Sequence, residues 1–164
     1  MVHWGAQMDK STQKVMFSSK TGNWATPQEF FNKIDWRFGP FDLDPCASPY
    51  NTKCENFFTE AENGLEKDWE GFTCFVNPPY GRGIDKWIQK AYNEAMKPNT
   101  KVVMLIPART DTKYWHNYVM KASEIHFVKG RLKFGDSNNS APFPSAVVVF
   151  DGGGELWRVE GINR

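Results

Sequence analysis

The segment Asn77-Pro78-Pro79-Tyr80 combines hydrogen-bond acceptors with an aromatic ring. Two consecutive prolines fix φ and donate no backbone hydrogen bond, so their carbonyls and the Asn77 side-chain oxygen can form a rigid set of acceptors. Such a set suits an exocyclic amine, and Tyr80 could stack on the ring that carries this amine. The alternative is a tight turn after a buried strand, with Tyr80 covering the core.

A second segment, Asp44-Pro45-Cys46-Ala47-Ser48, also places a polar residue before proline at the end of an apolar stretch. In an open α/β sheet, ligands bind outside the carboxyl ends of the strands, near the point where the strand order reverses. We therefore expect Asp44 and Asn77 to lie at one edge of a sheet. The alternative for Asp44 is a cap on the following turn.

Alternating helices and apolar strands must position these two segments. Thr26 and Glu29 predict a capping box, with Pro27 at the first position of a helix. Apolar periodicity predicts helices over 27–38, from 84 to before Pro98, and over 111–120. The predicted strands cover 41–45, 53–59, 73–76, 101–106, 124–128, 145–150 and 156–159. This pattern indicates an α/β fold with a mostly parallel sheet.

Length and composition limit the class of protein. The chain has 164 residues, of which 40% are apolar and 24% charged, which indicates one folded domain over 24–164 after an unassigned arm over 1–23. No apolar run approaches the roughly 20 residues of a membrane span, and no signal-peptide core is present, so we expect a cytoplasmic protein. The cysteines Cys46, Cys54 and Cys74 form no CxxC pair and predict buried thiols rather than disulfides or a metal site.

Charge is distributed unevenly along the chain. Residues 1–80 carry 7 Lys/Arg and 11 Asp/Glu, whereas residues 81–164 carry 13 and 8. A basic second half is what a polyanion-binding face requires, although solvated helix faces give similar counts. The polar segment 130–144 adds Arg131, Lys133, Asn138 and Asn139, which suit phosphates and base edges. Alternatively, the segment 130–144 is only a solvated connection between two strands.

The order of several motifs resembles the phage-type DNA N6-adenine methyltransferases, the Dam-like family. The resemblance runs from about Trp24 to Phe150. It rests on Trp24-Ala25-Thr26-Pro27, Phe41-Asp42-Leu43-Asp44-Pro45-Cys46-Ala47-Ser48, Asn77-Pro78-Pro79-Tyr80-Gly81, Leu105-Ile106-Pro107-Ala108-Arg109-Thr110-Asp111-Thr112, Gly130-Arg131-Leu132-Lys133-Phe134 and Ala141-Pro142-Phe143-Pro144-Ser145.

The resemblance implies a Rossmann-like, seven-stranded sheet with an antiparallel C-terminal hairpin, S-adenosylmethionine as methyl donor and DNA as partner. Asn77, Pro78, Pro79 and Tyr80 match the [DN]PP[YFW] signature that holds the target adenine. The implied cofactor residues are Thr26 and Pro27, at the methionine end, and the loop residues Asp44, Pro45, Cys46 and Ala47. The segment 44–49 contains no glycine, unlike the cofactor loop of many methyltransferases, and Thr26 could serve only as a helix cap.

The sequence signals for the remaining candidate site residues are less specific. Asp68 and Glu60 could bind adenosine or ribose hydroxyls, although each alone also fits a solvated carboxylate. Arg109, Arg131, Lys133, Asn138 and Asn139 are the candidate DNA contacts. The three histidines, His3, His116 and His126, are interpreted as structural or surface residues, because proton loss can follow methyl transfer without a dedicated base.

Other functions remain compatible with these motifs. An RNA adenine N6-methyltransferase would meet the same N6 edge, and a protein glutamine methyltransferase modifies another planar nitrogen. A nucleic-acid-binding module with an inactive methyltransferase fold is the non-enzymatic alternative. In a duplex the target base must be flipped out, and the short C-terminal region predicts short or relaxed sequence specificity. A phage origin would suggest protection of DNA from restriction.

Overall fold

The computed structural model describes residues 25–152 and 158–164. In these residues the α-helices are α1 (Gln28–Phe38), α2 (Ile84–Ala95) and α3 (Lys113–Asn117), with 3-10 helices at Gly64–Glu66 and Val119–Lys121. The strands are β1 (Leu43–Asp44), β2 (Asn56–Phe57), β3 (Thr73–Val76), β4 (Lys101–Pro107), β5 (Glu124–Lys129), β6 (Ser145–Asp151) and β7 (Arg158–Asn163). Trp24 and the arm over 1–23 lie outside the described residues, and so do positions 156 and 157 of the last predicted strand.

The seven described strands form one sheet in the order β2-β1-β3-β4-β6-β5-β7. Every pair is parallel except those of β6, which is antiparallel to both β4 and β5. This confirms the predicted mostly parallel, Rossmann-like sheet with antiparallel C-terminal strands. From β1 the chain first adds β2 on one side and then β3 on the other, so the strand order reverses beside β1 and β3.

Helices cover both faces of the sheet. Phe31 of α1 packs on Phe75 of β3, with ring centroids 5.1 Å apart. Tyr92 of α2 packs on Phe150 of β6, with centroids 5.9 Å apart. Phe75 pairs with Val103 and Phe150 with Val102, so their side chains point to opposite faces. Burial on both faces explains why β3, β4 and β6 appear in the sequence as continuous apolar runs.

Several predicted elements are shorter in the structure. The strand predicted over 41–45 is reduced to Leu43–Asp44, because Pro45 has no N–H to continue the ladder. The strand predicted over 53–59 is only Asn56–Phe57. The helix predicted over 111–120 divides into α3 and the 3-10 turn Val119–Lys121, because Tyr118 leaves helical geometry at φ −129°.

The predicted capping box at Thr26 and Glu29 is wrong. Helix α1 begins at Gln28 with Pro27 at its N-cap, and no side chain caps it. The carbonyl of Pro27 accepts the N–H of Phe31 at 2.9 Å. The Thr26 side chain is buried and turns instead toward the end of β3, where its hydroxyl meets Asn77.

Candidate active site

One edge of the sheet gathers the segments singled out by the sequence. It holds the carboxyl ends of β1, β3 and β4, and also the start of β6, because Ser145 pairs with Pro107. The segment 130–144 joins β5 to β6 and therefore crosses the same edge. Its Gly135 N–H donates to the Ala25 carbonyl at 2.9 Å, which ties it to the start of α1. We call this the carboxyl edge.

Asn77 is half-buried directly after β3, and both ends of its carboxamide are held. Nδ2 donates to Thr26 Oγ1 at 3.2 Å, and Oδ1 accepts from Tyr80 Oη at 2.8 Å. Tyr80 Oη also lies 3.1 Å from the Leu105 carbonyl on β4. The following prolines differ, since Pro78 is buried and Pro79 is exposed. The Asn77 carboxamide is thus held by a hydrogen-bond network, in which Thr26 and Leu105 take part without any local sequence signal.

The Tyr80 ring does not present the open face that the sequence led us to expect. Only 5% of Tyr80 is exposed. Phe143 and Phe134 of segment 130–144 pack edge-on against it, with centroids 5.2 and 6.1 Å away. Burial raises the pKa of Tyr80, so its hydroxyl remains a neutral donor. In this conformation little of the Tyr80 ring is open to a stacking base.

The turn after the motif carries a basic residue that sequence reasoning missed. Gly81 and Gly83 adopt φ of +109° and +93°, which glycine reaches without steric cost. Arg82 lies between them and is exposed, beside the start of α2. The sequence signal for an exposed basic residue here was a single arginine between two glycines, directly after the Asn77 motif.

Asp44 is a buried carboxylate whose bonded donors in the described residues are backbone groups. The N–H of Cys46 lies 3.3 Å from Oδ1, and the N–H of Lys53 lies 3.4 Å from Oδ2. Burial outweighs these bonds and raises the pKa of Asp44 to about 7. The Lys53 ammonium donates to Gln28 Oε1 at 2.8 Å instead of to Asp44. A ligand ammonium group would therefore suit this site.

The loop after β1 is held by its neighbours. Ala47 N–H donates to the Phe58 carbonyl at 3.1 Å, and Phe58 N–H donates to the Asp44 carbonyl at 3.0 Å. Gly64 packs so closely that a Cβ there would lie 1.9 Å from the Pro45 carbonyl oxygen. Burial, then the charges of Asp44 and Glu60, raise the pKa of the Cys46 thiol, which therefore stays neutral. Close packing and backbone hydrogen bonds thus fix this loop although it contains no glycine.

The structure does not bring Asp68 to the carboxyl edge, so its position gives no support to the expected role in the cofactor site. Asp68 is exposed and its Oδ1 accepts from Lys97 Nζ at 2.8 Å. Helix α2 starts beside the Asn77 motif and runs to the opposite edge, where Lys97 follows it. Glu60 instead follows β2, and its charge acts on Cys46. Their spacing along the sequence could not show that Asp68 and Glu60 lie in different parts of the fold.

The candidate DNA contacts lie on two segments at the carboxyl edge. Arg109 follows β4, is half-buried, and its charge acts on Tyr114. Arg131, Lys133, Asn138 and Asn139 are exposed on segment 130–144, which is anchored by buried Leu132 and Phe134. One Arg131 N–H donates to the Ala141 carbonyl at 3.3 Å.

Two of the three histidines lie in the described residues. His126 of β5 is buried against Phe38 of α1, with Nε2 2.7 Å from Glu124 Oε2, and His116 contacts the Thr110 carbonyl. His3 lies outside the described residues. Within 25–152 and 158–164 we find no group of three or more His, Cys, Asp or Glu side chains that could hold a metal ion. None of the helices in that range is long and apolar enough to cross a membrane. All three cysteines are free.

Comparison with known proteins gives consistent matches. The model of the family described as DNA N-6-adenine-methyltransferase (Dam) matches residues 13–150. The DNA N-6-adenine-methyltransferase of Haemophilus phage HP1 (strain HP1c1) is 34% identical over 151 residues, covering 88% of this chain and 85% of that protein. The protein of the same name from Escherichia phage T1 is 34% identical over 110 residues, covering 66% of this chain and 45% of its own. The putative methyltransferase YfdM of Escherichia coli K12 is 38% identical over 63 residues, covering 35% of this chain and 69% of its own.

Proposed function

The chain belongs to the DNA N-6-adenine-methyltransferase family and is an adenine-specific DNA methyltransferase, and we propose that it holds the adenine N6 amine with Asn77, Pro78, Pro79 and Tyr80. The observation that carries this assignment is the Asn77 carboxamide, fixed at the carboxyl edge beside buried Pro78. The strand order reverses there, where open α/β sheets bind ligands.

The proposed mechanism rests on neutral acceptors. The N6 lone pair of adenine is delocalised into the ring, so the amine is a poor nucleophile until its hydrogens are held out of the ring plane. Asn77 Oδ1 and the Pro78 carbonyl accept those hydrogens. As the N–C bond forms, positive charge develops on the amine, and these fixed dipoles stabilise it without reorganising. The methylated amine then releases a proton to solvent.

We propose S-adenosylmethionine as the methyl donor. When bound, it would supply an electrophilic methyl group, whose bond to the sulfonium sulfur would break as the N–C bond forms, leaving a neutral thioether. Asp44 suits its ammonium group, because the buried carboxylate has a pKa of about 7 and gains most from a cationic partner. The loop residues Pro45, Cys46 and Ala47 and the adjoining Pro27 complete the proposed cofactor site. Glu60, at the end of β2, replaces Asp68 as the residue for the ribose hydroxyls.

Access of the base involves segment 130–144. An adenine inside a duplex cannot reach Asn77, so the base must be flipped out or already single-stranded. Phe134 and Phe143 pack against the buried Tyr80 ring. We propose that a base that stacks on Tyr80 displaces one of them. Arg109, Arg131, Lys133, Asn138 and Asn139 contact the DNA around it. So small an interface favours a short or relaxed recognition sequence.

The phage relatives suggest a setting for this activity. Both relatives are phage proteins. Phage DNA enters bacterial cells, where methylated adenines would protect it from restriction. We propose that the enzyme acts in the host cytoplasm, on DNA.

The test is transfer of labelled methyl groups from S-adenosylmethionine to adenine-containing DNA, RNA and a release-factor protein, followed by digestion to nucleosides. We expect N6-methyladenine in DNA, and a loss of about 100-fold or more in kcat with Asn77→Ala. Cofactor binding by calorimetry should survive this substitution. Label in RNA or protein alone would name a different substrate, and cofactor binding without any transfer would indicate an inactive fold. Full activity of Asn77→Ala would contradict the assignment of the site.

A further inference from the structure

We propose that Thr26 is a positioning residue for catalysis, whose hydroxyl holds the Asn77 carboxamide with Oδ1 on the side of Tyr80. This inference rests on the proposed role of Asn77. It differs from the cofactor-binding role that the family resemblance implies for Thr26. The observations are the 3.2 Å contact between Thr26 Oγ1 and Asn77 Nδ2 and the burial of Thr26, which is 3% exposed.

A carboxamide needs such a partner because its two ends have nearly the same shape and opposite chemistry. The oxygen accepts hydrogen bonds, whereas the NH₂ group donates them. Turned by 180°, Asn77 would present N–H groups where the adenine amine needs an acceptor. A base stacked on Tyr80 brings its amine to the Tyr80 side, so the oxygen must stay on that side.

Tyr80 cannot maintain this orientation by itself. Its hydroxyl has one proton, and both Asn77 Oδ1 at 2.8 Å and the Leu105 carbonyl at 3.1 Å can accept it. When the proton goes to Leu105, the phenol oxygen becomes an acceptor and favours the reversed carboxamide. Thr26 Oγ1, which accepts from Nδ2, holds the nitrogen on the other side.

Loss of the Thr26 hydroxyl would therefore allow Asn77 to turn as well as loosen it. With valine at position 26, the original orientation loses the bond from Asn77 Nδ2 to Thr26 Oγ1. In the reversed orientation, Nδ2 can instead donate to Tyr80 Oη while Tyr80 Oη donates to Leu105. Because the Thr26 hydroxyl no longer selects between the two orientations, we expect the reversed form to become populated.

Steady-state kinetics of Thr26→Val and Thr26→Ser test this inference. We expect Thr26→Val to lower kcat about three- to tenfold, with little change in the KM or calorimetric Kd for S-adenosylmethionine, and Thr26→Ser to restore kcat. A raised cofactor KM or Kd with unchanged kcat would overturn the proposal and assign Thr26 to the cofactor. A serine variant as slow as the valine variant would also overturn it.

Asn77→Asp provides a second test, since both ends of a carboxylate are acceptors and its rotation changes nothing. We expect Thr26→Val to reduce kcat much less in the Asn77→Asp background, and an equal reduction in both backgrounds would contradict the orientation argument. Thr100→Val is the matched control. Thr100 is another buried threonine, whose Oγ1 accepts from Gly71 N–H near the opposite edge, so its loss should lower the unfolding temperature and leave kcat unchanged.

The failures of this inference and of the proposed function are distinguishable. If Asn77→Ala is inactive and Thr26→Val has wild-type kinetics, only the role of Thr26 is wrong. If Asn77→Ala is fully active, the site itself is wrong.

Discussion

The buried carboxyl group of Asp44 makes the stability of the fold depend on pH. In the folded chain its pKa is raised to about 7, whereas an unfolded aspartate titrates near 3.8. Between these values the folded state holds a proton that the unfolded state has released. Stability from this residue therefore falls as pH rises from about 4 to 7, by about 4 kcal/mol in all. The cost of this buried charge is what a cationic ligand would offset.

We predict that Asp44→Asn removes this pH dependence. Thermal unfolding between pH 5 and 8, without cofactor, should show wild-type stability falling relative to the variant as pH rises. His126, whose burial lowers its pKa, acts in the opposite direction but is common to both proteins. Asp68→Asn, on an exposed residue at the other edge, is the control and should keep the wild-type slope. Parallel curves for wild type and Asp44→Asn would contradict the prediction.

Site residues could be predicted from the sequence only where they directly follow a buried strand. Asn77 and Asp44 each follow a buried strand, so the sequence predicted their common edge. The contact of Thr26 with Asn77 joins residues 51 positions apart, and Phe143 reaches Tyr80 from another part of the chain. Such partners depend on tertiary packing, which short sequence patterns do not encode.

At the scale of elements, periodicity succeeded where burial is continuous. Strand β3 and helix α2 follow their predicted limits, because apolar residues fill their buried faces. Strands β1 and β2 pair over only two residues each, and their flanking loops are fixed by tertiary hydrogen bonds. The loop after β1 is the clearest case, since it lacks glycine and depends on the glycine of a neighbouring segment.

We predict that Gly64→Ala displaces that loop. A Cβ at Gly64 would lie 1.9 Å from the Pro45 carbonyl oxygen, so backbone must move. The expected cost is about 1–3 kcal/mol of unfolding free energy, together with weaker binding of S-adenosylmethionine in calorimetry. Gly161→Ala on β7 is the matched control, because its Cβ would meet only the Phe127 carbonyl at an ordinary 3.9 Å. Wild-type cofactor affinity in the destabilised Gly64→Ala protein would argue against a cofactor role for this loop.

At the scale of the whole molecule, the fold places charge where DNA must approach. The net charge of the chain is only +1, which by itself indicates no polyanion partner. The direction of the strands shows where the basic residues are placed, because β5 ends and β6 begins at the carboxyl edge. The segment between them therefore holds exposed Arg131 and Lys133 beside the proposed catalytic residues. Position, rather than total charge, makes this edge suited to phosphates.

Salt dependence can locate this interface. Each phosphate contact releases counterions, so loss of one contact lowers the slope of log Kobs against log salt concentration by about 1. We predict this change for Lys133→Gln, measured by fluorescence anisotropy on an adenine-containing oligonucleotide and on one without adenine. Both oligonucleotides should lose affinity equally, because a phosphate contact carries no sequence information.

Lys121→Gln is the control for this experiment. Lys121 is also exposed, but it precedes β5 and so lies at the opposite edge. Its substitution should leave the slope unchanged, because a phosphate at the carboxyl edge is farther away than the roughly 10 Å over which salt at 0.1 M screens charge. Equal slopes for wild type and Lys133→Gln would mean that DNA does not follow segment 130–144. A reduced slope for Lys121→Gln would place the duplex at the other edge of the sheet, where it could not deliver an adenine to Asn77.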